Sequence, residues 1–467
     1  MRKILIYLVV ILLPVIMKSC GQPEPQRDAP KNVIVFIGDG MGFNHVDAAS
    51  IYLFGETGNM EFEGREWQKL AQASYPAFIR MDSVKIAAGG YNPRAVWSDT
   101  AYLRKDYTDS GAAGTALATG RKTYNGAIGM GVNADTLKNL TRFAKEKGKA
   151  AGVVTSVQIS HATPAAFSAH NKSRSNYEQI ARQQILQSTL DVLMGCGHPM
   201  YTNDGIIAEA DFRYLGGAEL WSQLDGTEPA TTFMVENQQY ILPDISGDGE
   251  PDAWTLITDS TKFAAIASGQ NLPARLLGIP QVRSTLQQSR SGNEEIIPFQ
   301  RPFTPGVPSL EQMTMAAVNV LNQNSNGFFL MVEGGAIDWA GHDNHPGRMI
   351  EEMDDFNNTI KAVVDWVEKN SSWDETLIVV TSDHETGMLW GESDGANVLT
   401  TIKNNGKGQL PAMNWFSDDH TNALVPVYIR GKGSEIFNFL ADETDPVRGP
   451  FVQNTEIAQG IFLLWNR

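Results

Sequence analysis

Three continuous apolar runs in this chain each end in an acid. Asn32-Val33-Ile34-Val35-Phe36-Ile37 runs into Gly38-Asp39-Gly40, Phe328-Phe329-Leu330-Met331-Val332 into Glu333, and Leu377-Ile378-Val379-Val380-Thr381-Ser382 into Asp383-His384. Runs that are rich in β-branched residues and do not alternate apolar with polar are how strands buried on both faces read, and such strands belong to parallel sheets covered by helices. Helix-period patterns lie between them: Met349, Ile350, Met353, Phe356, Ile360, Val363, Val364 and Val367 share one face, and Ser309 with Gln312 forms a capping-box signature ahead of another helix. The expected fold is therefore α/β, a mostly parallel central sheet flanked by helices. Ligands of such sheets bind in the crevice outside the carboxyl ends of the strands, so acids delivered there are candidates for chemistry.

A second signal is the small-residue run Thr108-Asp109-Ser110-Gly111-Ala112-Ala113-Gly114, a turn feeding a helix. In isolation Asp-Ser before an alanine-rich helix reads as a cap. The same position carries unpaired N–H groups and the positive end of the helix dipole, which would stabilise an oxyanion beside a nucleophilic Ser110. Asp338 and His342, four apart, would share one helix face, a spacing that suits a metal or, for the pair alone, a surface hydrogen bond. Of eight histidines, His342, His384 and His420 lie in carboxylate-bearing segments. Mixed His and Asp ligands suit zinc, and an all-oxygen set such as Asp39, Glu333 and a hydroxyl suits magnesium.

In these segments the chain resembles the alkaline phosphatase family, in the family's motif order over nearly all of the mature sequence. The residues that carry the resemblance are Phe36 to Gly42, Thr108 to Ala112, Gly120 to Gly126, His161 to Ala165, Ala169 to Arg174, Val332 to Gly334, Asp338 to His342, Thr381 to His384 and His420-Thr421. The resemblance implies that Ser110 becomes phosphoserine and that Arg174 holds two phosphoryl oxygens, with Asp109 orienting Arg174. It implies one zinc on Asp338, His342 and His420, a second zinc on Asp39, Asp383 and His384, and a magnesium on Asp39, Thr163 and Glu333. His161 and Trp339 stand where some members carry Asp and Lys, which leaves the third metal's identity open. Two metals clamping both ends of an in-line displacement is chemistry that phosphoryl transfer requires in any case. The function expected is hydrolysis of small-molecule phosphate monoesters. The alternatives are a phosphodiesterase or sulfatase with the same metal core, or a non-catalytic envelope lipoprotein that binds phosphate or metal.

At the N-terminus, Arg2 and Lys3 precede an apolar run from Ile4 to Met17, too short for a comfortable membrane span and suited to a signal peptide over residues 1–19. Lys18-Ser19-Cys20-Gly21 resembles a bacterial lipobox, which makes Cys20 a candidate lipid anchor, and residues 20–30 read as a flexible tether. Export to the periplasm or cell envelope is expected. Cleavage would take three positive charges and no acid from a chain of net charge −16, so nucleic acid is not an expected partner. The catalytic domain is expected over 31–467, with insertions over the active face at about 48–105 and 201–305. The chain after Val425-Pro426-Val427-Tyr428-Ile429 reads as a final strand and a closing helix. Asp244 to Asp252 resembles part of a calcium loop without its closing glutamate, and Cys196 reads as a lone buried thiol. Monomer and homodimer both remain open.

Overall fold

The computed structural model describes residues 29–80, 83–87, 90–226, 228–393 and 398–466. The signal peptide, Cys20 and most of the tether lie outside them. No helix among the described residues is long and apolar enough to cross a membrane.

An 11-stranded sheet organises the chain. Its order is Glu443–Asp445, Gly449–Gln453, Gln68–Ala73, Val425–Gly431, Thr376–Thr381, Asn32–Gly38, Phe328–Gly334, Ala150–Gln158, Val192–Cys196, Leu276–Gly278 and Thr255–Ile257. From Thr376–Thr381 to Thr255–Ile257 every pairing is parallel, and Val425–Gly431 runs antiparallel to both of its neighbours. The three acid-ended strands are immediate neighbours at the centre, with Ile37 opposite both Glu333 and Thr381. Because they run in one direction and end together, Asp39, Glu333 and Asp383 emerge on one rim.

Helices cover both faces, as the lack of alternation requires. On one face Pro346–Asn370 buries the stripe Met349, Ile350, Met353, Phe356, Ile360, Val363, Val364 and Val367. Leu310–Leu321 packs beside it, begun by Ser309, whose Oγ accepts from the Gln312 N–H at 3.1 Å while Gln312 Oε1 accepts from the Ser309 N–H. On the other face Ser110–Thr119 and Asn454–Asn466 pack together.

Two details differ from the sequence reading. Val425–Gly431 is not the last strand, since Glu443–Asp445 and Gly449–Gln453 follow it on the sheet edge. The spans 48–105 and 201–305 also contribute strands to the main sheet, Gln68–Ala73 from the first, and Thr255–Ile257 and Leu276–Gly278 from the second. These strands are three to six residues long, too short to impose a period of their own.

Candidate active site

Asp109, rather than Ser110, caps the helix Ser110–Thr119: its Oδ1 accepts from the Ala112 N–H at 2.9 Å and from the Gly126 N–H at 3.0 Å. The Ser110 hydroxyl is thereby left free of capping, and its Oγ lies 3.2 Å from His384 Nε2. Asp109 Oδ2 also meets Arg174 Nη1 at 3.0 Å. Burial alone would raise the Asp109 carboxyl, but the Arg174 guanidinium and two backbone N–H donors hold it below the ordinary range.

Around Ser110 the structure brings together seven further residues picked out in the sequence. His384 Nε2 is 3.1 Å from Asp383 Oδ2 and 3.5 Å from Asp39 Oδ1. His342 Nε2 and His420 Nε2 face each other at 3.1 Å, and both approach Asp338 Oδ1, at 3.4 and 3.5 Å. Thr163 Oγ1 donates to Asp39 Oδ2 at 3.4 Å. Gly40 lets these groups close in: its φ is +75°, and a Cβ there would stand 2.7 Å from Asp338 Cα.

The tautomers of the three imidazoles follow from their other nitrogens. His342 Nδ1 faces the Asp418 carbonyl at 2.6 Å and His420 Nδ1 the Thr108 carbonyl at 2.8 Å, and a carbonyl only accepts. His384 Nδ1 meets Thr386 Oγ1 at 3.3 Å, while that hydroxyl gives its proton to Asp338 Oδ1 at 2.5 Å. Each Nδ1 therefore carries the proton, and each Nε2 presents a bare lone pair inward. Two lone pairs 3.1 Å apart, with buried Asp39 Oδ1, Asp383 Oδ2 and Glu333 Oε1 lacking hydrogen-bond partners, form a donor set that fits cations. Among the described residues two groups have ligand atoms mutually within 4.8 Å, Asp338 with His384 and His420, and Asp39 with Asp383 and His384.

The electrostatics agree. Burial, and then the neighbouring Asp383, raise the Asp39 carboxyl well above its usual range, and burial pushes Glu333 up to about 8. Burial would also raise Asp338 and Asp383, but the imidazoles beside them outweigh it and both titrate low. For His384 the opposition runs the other way, since burial lowers it and Asp383 more than restores it. A proton is then the ion that this field attracts when no metal is present.

Two residues of the site escaped the sequence reading. Thr386 bridges the two ligand groups, as described. Thr155, opposite Glu333 in the parallel register, donates its hydroxyl to Glu333 Oε2. His161 is buried with Nδ1 unpartnered, and burial followed by Arg174 pushes it down to about 3; its ring centroid lies 5.7 Å from that of Trp339. The calcium-like segment behaves differently. Asp244 accepts from the Gly247 and Gly249 N–H groups and Asp252 from those of Ile245 and Ser246, so these carboxylates close a turn, and they are absent from the converging groups among the described residues. Cys196 is free and buried, its thiol donating to the Ser156 carbonyl.

The chain is similar to known proteins over most of its length. A sequence model described as alkaline phosphatase matches residues 30–437. Alkaline phosphatase 3 of Bacillus subtilis is 31% identical, over 93% of this chain and 89% of its own. The alkaline phosphatase of the Antarctic bacterium TAB5 shares the fold, with a TM-score of 0.60 and 23% identity over 94% of this chain and 99% of its own. A variant of that enzyme with glutamate in place of a histidine, described with Mg bound in its M3 site, superposes with a TM-score of 0.59 at 23% identity. Together with the acid-ended strands and the serine at their rim, the match over most of the chain shows that this protein belongs to the alkaline phosphatase family of phosphomonoester hydrolases.

Proposed function

We propose that this chain hydrolyses phosphate monoesters through a covalent phosphoserine on Ser110. The observation that carries the reading is the placement of Ser110 Oγ, 3.2 Å from Nε2 of His384, the residue common to the two convergent ligand groups, and at the head of a helix whose cap is held by Asp109. Asp338, His342 and His420 would hold one zinc, Asp39, Asp383 and His384 a second, and Asp39, Thr163 and Glu333 a magnesium. When bound, these ions supply positive charge that lowers the pKa of hydroxyl and water and offsets the charge on the attacking and leaving oxygens.

The chain's own residues do the rest. Ser110 Oγ bonds to phosphorus as the bond to the substrate's alcohol oxygen breaks, and water then displaces Ser110 Oγ to release inorganic phosphate. Arg174 offers a planar fork to two phosphoryl oxygens, a geometry that lysine cannot copy, and Asp109 aims that fork. His161 and Thr155 would act through the magnesium ligands, the latter by fixing Glu333. Mg in the M3 site of the TAB5 variant supports a magnesium site in this family. The N-terminal pattern supports export to the periplasm or cell envelope, with Cys20 as a lipid anchor.

Purified enzyme assayed with p-nitrophenyl phosphate, bis-p-nitrophenyl phosphate and p-nitrophenyl sulfate should turn over the monoester at least 100 times faster than the other two. A preference for the diester or the sulfate would assign the site to one of those reactions instead. Thr386→Val removes one hydroxyl at nearly constant volume, and by unfixing both Asp338 and His384 it should weaken zinc binding about 10- to 100-fold in chelator competition. An affinity within threefold of the native protein would show that Thr386 orients nothing.

A further inference from the structure

The cavity of about 530 Å³ that Ser110 lines is walled by two unlike sets of groups. One set is Ser110, Arg174, Asp338 and the imidazoles of His161, His342 and His420. The rest of the wall is built by Gln288, Ser289, Asn293, Trp339, Asp343 and Asp419, with Trp339 one helical turn before Asp343, whose N–H donates to the Trp339 carbonyl at 3.0 Å. It contains no lysine or arginine, and the one arginine lining the cavity, Arg174, is already paired with Asp109.

This wall is fixed. Its loop is strapped to the helix Pro346–Asn370 by a buried network, in which Glu351 Oε2 accepts from Arg290 Nη2 at 2.8 Å and from Arg348 Nη1 at 3.2 Å. Arg348 Nη2 also donates to the Arg290 and Ser291 carbonyls, and the His345 Nε2–H to that of Asn293 at 3.0 Å. At the cavity face Gln288 donates to Asp343 Oδ2 at 3.0 Å, and Ser289 donates to Gln288 Oε1 at 2.7 Å. Asp343 and Asp419 are exposed and, among the described residues, in no ion pair, and Trp339 is only partly covered. An indole and two carboxylates that no lysine or arginine pairs attract an ammonium group by cation–π and Coulomb terms together, and disfavour a carboxylate on the substrate's alcohol.

Building on the monoesterase reading, we infer that this wall selects phosphate monoesters of amino alcohols, in which the alcohol carries a cationic nitrogen, over those whose alcohol carries a carboxylate. Asp343 and Trp339 are the specificity-determining residues, with Asp419 beside them.

The test compares kcat/KM for phosphocholine and for 3-phosphoglycerate in the metal-loaded enzyme, with p-nitrophenyl phosphate as the uncharged reference. The native enzyme should favour phosphocholine at least tenfold. Asp343→Asn, which keeps an oxygen for Gln288, should cut that ratio threefold or more, and adding Asp419→Asn should bring it near twofold. Asp374→Asn, at the opposite end of the sheet, controls for the overall negative charge and should leave the ratio unchanged. Because the readout is a ratio, a general loss of turnover cancels. Parity between the two substrates in the native enzyme, or a preference that Asp343→Asn does not reduce, overturns the inference. If p-nitrophenyl phosphate itself is not hydrolysed, the failure belongs to the monoesterase reading rather than to the wall.

Discussion

Ser110→Ala should lower kcat/KM for a phosphate monoester by at least about 10³-fold, the scale on which enzymes lose rate when a covalent nucleophile is removed. The fold should survive the change, because alanine is a good helix former and the cap of this helix belongs to Asp109, whose Oδ1 takes the Ala112 N–H. Acid quenching of the native enzyme during turnover of labelled substrate should trap one phosphate per chain on the peptide containing Ser110, and the variant should trap none. Arg174→Lys should leave the trapped phosphate on Ser110 while raising KM, because a point charge replaces the fork but the nucleophile is untouched. Label on a different residue, or a Ser110→Ala enzyme within tenfold of native activity, would refute a covalent role for Ser110. The alternative to covalent catalysis, direct attack by water, predicts no trapped label at all and a much smaller loss on substitution.

The parts of this fold legible in the sequence are those where one residue type answers one physical demand. In Asn32–Gly38, Phe328–Gly334 and Thr376–Thr381 the runs Val33 to Ile37, Phe328 to Val332 and Leu377 to Val380 are apolar because both faces are covered, and the acids after them stood out as the first charged residues at their ends. The helix Pro346–Asn370 is 25 residues long and repeats its apolar stripe from Met349 to Val367, far enough for the period to declare itself. Gln68–Ala73 did not, because its membership of the sheet is decided by its neighbours Val425–Gly431 and Gly449–Gln453 rather than by its own six residues. Thr155 and Thr386 were invisible for a different reason. Threonine is an ordinary occupant of a strand, and only the register that sets Thr155 opposite Glu333, and Thr386 opposite His420, turns a β-branched residue into a positioning one. The orientation of the three imidazoles depends on carbonyls at Thr108 and Asp418 and on the Thr386 hydroxyl, and backbone carbonyls carry no sequence signal.

Removing metal should destabilise the protein, and Asp39→Asn should then reverse the sign of its own effect. In the loaded enzyme the substitution removes a carboxylate shared by two proposed sites, and each ion held at 1,000 times its Kd contributes about 4 kcal/mol to the folded state. Asp39→Asn should therefore lower Tm by several degrees. In the chelated protein, at pH above its raised pKa, the same carboxylate is a buried charge that burial and Asp383 oppose, so replacing it with a neutral amide should raise Tm there by about 2 °C. Asp39 and Glu333 have folded pKa values raised above the unfolded ones, so the stability they contribute is present at low pH and lost as pH rises through the folded values, about 8 for Glu333. His384 is raised as well and acts in the same direction above pH 6.5, whereas His161 and His420, pushed down to about 3 and about 4, act only below it. Between pH 6.5 and 8 the Tm difference between loaded and chelated protein should consequently widen, since remote groups such as Lys122 are common to both states and cancel. Scanning calorimetry across that window decides the matter: a constant difference, or an Asp39→Asn effect of the same sign in both states, would mean that these carboxylates are not gathered around cations.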